Sequence, residues 1–130
     1  MKRTFVIVAV CAVAMLAASP AYAHHAWQLD RSKMVTLKGT VTKFDFANPH
    51  VQIYLQVKDD NGNAETWQAG GPSPNQLSRA GWTRDTVKPG DPISVEGYRN
   101  RDGSYVLRFD TLTLASGQVL AGYAGRGFRR

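Results

Sequence analysis

The sequence predicts a mainly β protein: a small five-stranded OB-like Greek-key barrel with one short helix between strands 3 and 4. Three observations lead there. Apolar residues recur at every second position in five separate segments, the signature of half-buried strands. One helix-start signal stands between the third and fourth of them. The first segment also changes the phase of its alternation midway, as a strand does when it bends to close a barrel.

Regular alternation begins at Met34, after a mixed lead-in over residues 24–33. Val35, Leu37, Gly39 and Val41 share one face, and Thr36, Lys38, Thr40 and Thr42 share the other. After Lys43 the apolar positions become Phe44 and Phe46, so a bulge or sharp coil is expected, with Gly39 helping the strand bend. Asn48-Pro49 marks a turn. In the second strand Val51, Ile53, Leu55 and Val57 face inward. Asn61-Gly62 is a hairpin signal, and Ala64 to Ala69 pairs back as the third strand.

Gly70-Gly71-Pro72 ends that strand, and Ser73 to Gln76 then satisfies two helix-start rules together. Ser73 is the N-cap with Gln76 as its capping-box partner, and Pro74 takes the first helical position, where its missing N–H costs nothing. Gly81 suits a left-handed C-terminal cap that brings Trp82 back toward Leu77. Lys88-Pro89-Gly90-Asp91 reads as a turn into a fourth strand with Ile93, Val95 and Gly97 inward. Asn100 to Ser104 turns the chain into a fifth strand that begins with Tyr105, Leu107 and Phe109 and continues toward Leu112 and Leu114. Val119-Leu120 suggests a last hairpin arm, and a domain of residues 34–121 leaves 122–130 as a disordered, Gly/Arg-rich tail. A plain antiparallel sandwich would use the same strands, but it has no particular use for one helix at that position.

The 130 residues, with 16 Lys+Arg against 10 Asp+Glu, allow one domain. Lys2 and Arg3, the apolar run from Phe5 to Ala18 and the small residues of Ala21-Tyr22-Ala23 predict a signal peptide over residues 1–23, cleaved between Ala23 and His24. The run is shorter than the roughly 20 residues of a membrane span, so no transmembrane segment is expected in the mature form. Val10 before Cys11 argues against a lipoprotein, and the absence of a twin-arginine pair argues for Sec-type export of an unfolded chain to the periplasm or beyond. Removing 23 residues leaves 107, with 14 basic groups against 10 acidic. Arg126, Arg129 and Arg130 fall in the tail, so the folded body is close to neutral and no nucleic-acid partner is expected. The only cysteine, Cys11, leaves with the leader, which excludes disulfides and thiol chemistry.

Cleavage after Ala23 would make His24 the first residue, followed by His25. An N-terminal histidine offers its α-amine and its imidazole from one residue, and a further imidazole completes the planar nitrogen set that Cu(II) prefers. His25 and His50 are the two candidates, and Asp30 adds a candidate oxygen. His24 and His50 begin at opposite ends of the first strand, which at about thirteen residues would span roughly 40 Å if straight. A joint site therefore depends on how far the lead-in folds back.

His24-His25, Asn48-Pro49-His50, Ser73-Pro74-Asn75-Gln76-Leu77, Arg79 to Asp85, Lys88-Pro89-Gly90-Asp91 and Val95-Glu96-Gly97-Tyr98 resemble, in that order, a family of small exported bacterial proteins, the domain of unknown function 6152. The resemblance covers nearly all of residues 24–130 and implies an exported single-domain β-barrel module with no activity attached. Phe46-Ala47 departs from the Trp-Thr usual in that pattern.

Tyr98, Arg99, Arg101 and Tyr105 flank the loop between strands 4 and 5, where OB-folds bind ligands, and Asn48 marks the loop between strands 1 and 2. These five residues are the candidate partner surface. No nucleophile elbow, phosphate loop or paired carboxylates appear, so no enzyme is expected. Trp27, Trp67 and Trp82 read as core or plug residues. The expected protein is a non-catalytic binding module for copper, with zinc second, through His24 and either His25 or His50. The alternative is a metal-free module for a periplasmic protein, glycan or small ligand.

Overall fold

The computed structural model describes residues 27–123. The segment read as a leader, His24, His25 and the arginines of the tail lie outside the described residues. Six strands follow the predicted order: β1 (Val35–Asp45), β2 (Gln52–Lys58), β3 (Ala64–Gly70), β4 (Pro92–Arg99), β5 (Val106–Thr113) and β6 (Val119–Ala121). One helix, α1 (Pro74–Arg79), lies between β3 and β4. Hydrogen bonding runs β3-β2-β1-β4-β5-β6, and a parallel pairing of β3 with β5 closes the first five strands into a barrel. That closure is the OB-like topology expected.

β1 makes the closure work. It pairs with β4 through Val35–Thr40 and with β2 through Gly39–Asp45, and its register shifts between Val41 and Lys43. The shift lies where the sequence changes phase, so Leu37 and Val41 point into the core before it and Phe44 packs against the core after it. Gly39 pairs with both neighbours, and a Cβ there would stand 2.5 Å from the Gln56 carbonyl oxygen, so only glycine lets the strand coil this tightly.

The helix is built by its caps. The Ser73 hydroxyl accepts from the Gln76 backbone N–H, and the Gln76 side chain accepts from the Ser73 N–H. At the other end Gly81 adopts φ +91°, Trp82 N–H donates to the Leu77 carbonyl at 3.0 Å and Gly81 N–H to that of Ser78 at 3.1 Å, a Schellman ending. The turn this makes delivers Trp82 into one mouth of the barrel. Its ring lies 5.7 Å from Phe109 and 6.3 Å from Phe44, and its indole N–H donates to the Ala121 carbonyl at 3.0 Å. Phe109 is fully buried between two glycines: a Cβ on Gly71 would stand 2.6 Å from its ring and one on Gly122 2.5 Å.

β5 begins at Val106 rather than Tyr105, whose side chain is 48% exposed while its carbonyl accepts from Gln68 N–H. Gly122 and Tyr123, placed by the sequence at the start of the tail, are held on the barrel. Gly122 N–H donates to the Asp110 carbonyl, and the Tyr123 hydroxyl to that of Gly71 at 3.0 Å. Among the described residues no helix is long and apolar enough to cross a membrane.

Phe109→Ala should lower unfolding free energy by about 3–5 kcal/mol, because the two glycines cannot collapse into the space left behind. Val119→Ala, at a position 63% exposed, should stay within about 0.5 kcal/mol. Urea unfolding followed by tryptophan fluorescence checks both.

Candidate functional site

The barrel mouth opposite Trp82 carries two of the five predicted partner-surface residues, Arg99 and Tyr105, and β3 and the loop joining β4 to β5 build it together. Trp67, on the core face of β3, is 5% exposed, and Tyr105 tilts against it with ring centroids 5.2 Å apart. The Arg99 guanidinium lies 4.9 Å from the Trp67 ring centroid and 5.5 Å from that of Tyr105. Its Nε donates to the Ser104 carbonyl at 2.8 Å and an Nη to that of Gly103. Arg99 therefore staples its own loop, and the face it leaves to solvent is smaller than the sequence implies.

Glu65 completes the cluster. Its carboxylate accepts from the Trp67 indole N–H at 3.0 Å and from the Tyr105 hydroxyl, and this second bond raises the Tyr105 phenol above the ordinary tyrosine range. Across the loop, the Asp102 carboxylate accepts from the hydroxyl and backbone N–H of Ser104, which holds it below the usual carboxylate range. A groove of about 460 Å³ beside the mouth is lined by Leu37, Lys38, Asp59, Asp60, Glu65 and Trp67, among others.

The other predicted residues organise the lead-in. Leu29 forms a bridge with Asn100, Asp30 N–H donates to the Arg99 carbonyl, and Arg101 N–H donates to that of Gln28 at 2.8 Å. Arg101 Nε donates to the Leu29 carbonyl at 3.0 Å, and Arg31 stands over the Tyr98 ring at 5.8 Å. The Asp30 carboxylate, a candidate metal oxygen, is engaged by the hydroxyl and backbone N–H of Ser32, which lowers it below the usual range. Upstream, the Trp27 ring rests on Gly70, where a Cβ would overlap its six-membered ring. Gly70 pairs with Gln52, so the lead-in crosses to the side of the barrel where β2 begins.

Asn48 and His50 stand on the loop between β1 and β2, both exposed, on either side of the cis-bonded Pro49. That loop joins the end of β3 rather than the Arg99 cluster, since Val51 N–H donates to the Pro72 carbonyl and Gly71 N–H to that of Val51. The structure thus brings Arg99 and Tyr105 together with Trp67, gives Arg101 and Tyr98 to the lead-in, and leaves Asn48 with His50. Among the described residues no three His, Cys, Asp or Glu side chains form a group able to hold a metal.

Sequence reasoning missed Glu65 and the seat of Trp27. The first had no signal, because pairing across a barrel mouth depends on closure. The second had one in Gly70-Gly71, a doublet at a strand end that marks close approach by another group. The outward faces of β2 and β3 are also rich in amides: Gln68 donates to Gln52 at 3.0 Å and Gln56 to Thr66 at 3.0 Å.

Glu65→Gln should return the Tyr105 phenol to the ordinary range, read at 295 nm as the difference between titrations with and without Tyr105→Phe. In the unaltered protein the stabilisation from this bond is fully present below the ordinary tyrosine range. It is lost as pH rises through the raised value of Tyr105.

Comparison with curated proteins finds no match for the chain. A family model described as a family of unknown function (DUF6152) matches residues 12–107, most of the sequence and the barrel from β1 into β5. The chain belongs to that family.

Proposed function

We propose that the protein is an exported, non-catalytic binding module that takes Cu(II) through the α-amine and imidazole of His24 after cleavage at Ala23, with His25 or His50 as a further ligand. Zn(II) is the weaker candidate, since it prefers four tetrahedral ligands and a planar nitrogen set suits copper better. One observation carries the reading: the lead-in is anchored by Arg101 and by the bridge from Leu29 to Asn100. A terminus three residues from the seated Trp27 gives up less conformational freedom on closing around a metal than a free chain end does.

A second reading has its own observation. The amides of Gln52, Gln56 and Gln68 on the outward faces of β2 and β3, with the half-exposed Tyr105 at one edge, suit a hydroxyl-rich ligand such as a glycan without any metal.

Copper titration followed by paramagnetic resonance, on protein beginning at His24, separates the two. The first reading expects an axial Cu(II) spectrum with nitrogen hyperfine structure, and a loss of affinity of roughly tenfold or more when one alanine precedes His24. An unchanged titration after that extension favours the metal-free module.

A further inference from the structure

The outward face of β2 and β3 carries hydrogen-bonding groups that the fold does not use. Gln52, Tyr54 and Gln56 alternate with Ile53 and Leu55, both fully buried, so their side chains point away from the core. Gln68 and Thr66 answer them from β3. Gln68 Nε2 donates to Gln52 Oε1 at 3.0 Å, and Gln56 Nε2 donates to Thr66 Oγ1 at 3.0 Å. The first bond leaves the Gln52 amino group and the Gln68 carbonyl without a partner among the described residues, and the second leaves the Gln56 carbonyl and the Thr66 hydroxyl proton. Each pair thus sets a donor beside an acceptor, as two neighbouring hydroxyls of a sugar ring require. Four residues of β2 separate the pairs, about 13 Å. Trp27 stands at one end. Its six-membered ring rests on Gly70 beside the Gln52 side-chain oxygen, and it is half-buried, whereas Trp67 and Trp82 are 5% and 1% exposed.

Charge and backbone pairing narrow the ligand. Lys43 and Arg108, on the strands to either side, hold carboxylates of their own, Asp45 at 2.8 Å and Asp110 at 3.2 Å. Lys58, beyond Gln56, stands with Asp59, Asp60 and Glu65 around the groove. An anionic polymer therefore finds no surplus of positive charge on this face. From Gln52 to Gln56, β2 is bonded to β1 on one side and to β3 on the other, so an added peptide strand finds no open edge. Uncharged hydroxyls match what is left. We infer that this face binds an uncharged oligosaccharide laid along β2, its hydroxyls read by the Gln52–Gln68 and Gln56–Thr66 pairs and one sugar ring set against Trp27. This rests on the second reading above, a hydroxyl-rich ligand held without metal.

The test uses the full chain in native gels cast with hydroxyethyl cellulose, galactomannan, glycogen or alginate, and acrylamide quenching of tryptophan fluorescence in solution. At least one of the three uncharged polymers should retard the protein at high salt as well as at low salt, and should shield Trp27 from acrylamide. Trp27→Phe removes that shielding signal, since Trp67 and Trp82 are already buried. Gln52→Ala combined with Gln68→Ala, Gln56→Ala alone and Trp27→Ala alone should each weaken binding by roughly tenfold. Circular dichroism verifies that each variant is folded. Binding of an uncharged polymer that survives the amide variants unchanged overturns this inference and leaves the second reading at another surface. Retardation by alginate alone overturns the uncharged class while a hydroxyl-rich ligand stands. Retardation by none of the four overturns both.

Discussion

The barrel depends on one strand serving two neighbours. β1 gives its first half to β4 and its second to β2, and the register shift between Val41 and Lys43 lets it turn from one to the other without sending apolar side chains into water. Without that shift Phe44 would face outward and the plug would lose a wall, since Phe44 is one of the two rings against Trp82. The tight coil at Gly39 and the parallel closure of β3 on β5 both follow from it. A barrel this small cannot curve gradually. Its bend is concentrated where one residue is left over and another has no side chain.

The two mouths are sealed by different physics. At one, Trp82, Phe109 and Phe44 exclude water, and the single polar group of Trp82 is matched to a backbone carbonyl. At the other, an arginine lies on two aromatic rings and a carboxylate collects an indole N–H and a phenol. The first mouth is apolar and closed; the second is polar, partly open and held by hydrogen bonds that solvent can reach. The lead-in runs from that side across to the opposite end of β3, tying the two regions together.

Local rules made most of the fold legible. Alternation marked the apolar inward side chains of β1, β2 and β4, which pack into or against the barrel core, and the capping residues of α1 behave as their identities require. The phase change after Lys43 announced the bulge itself. The candidate site was harder to read, because its contacts join residues far apart in the chain. Arg99 looked available for a ligand, but its guanidinium is spent on the carbonyls of its own loop. Glu65 looked like an ordinary outward carboxylate of a hairpin and became a partner of Tyr105 only through closure. The path of the lead-in was also beyond the reach of local rules. The route of the segment before β1 is set by Asn100 and Arg101, which follow β4.

The arm formed by β6, Gly122 and Tyr123 has a bearing on how the molecule is made. The Trp82 indole has its acceptor only once Ala121 is present, and the Gly71 carbonyl receives its donor from Tyr123. A chain emerging from the ribosome delivers these residues after every other strand. The last hydrogen bond of the plug therefore forms only once elongation has passed the final hairpin.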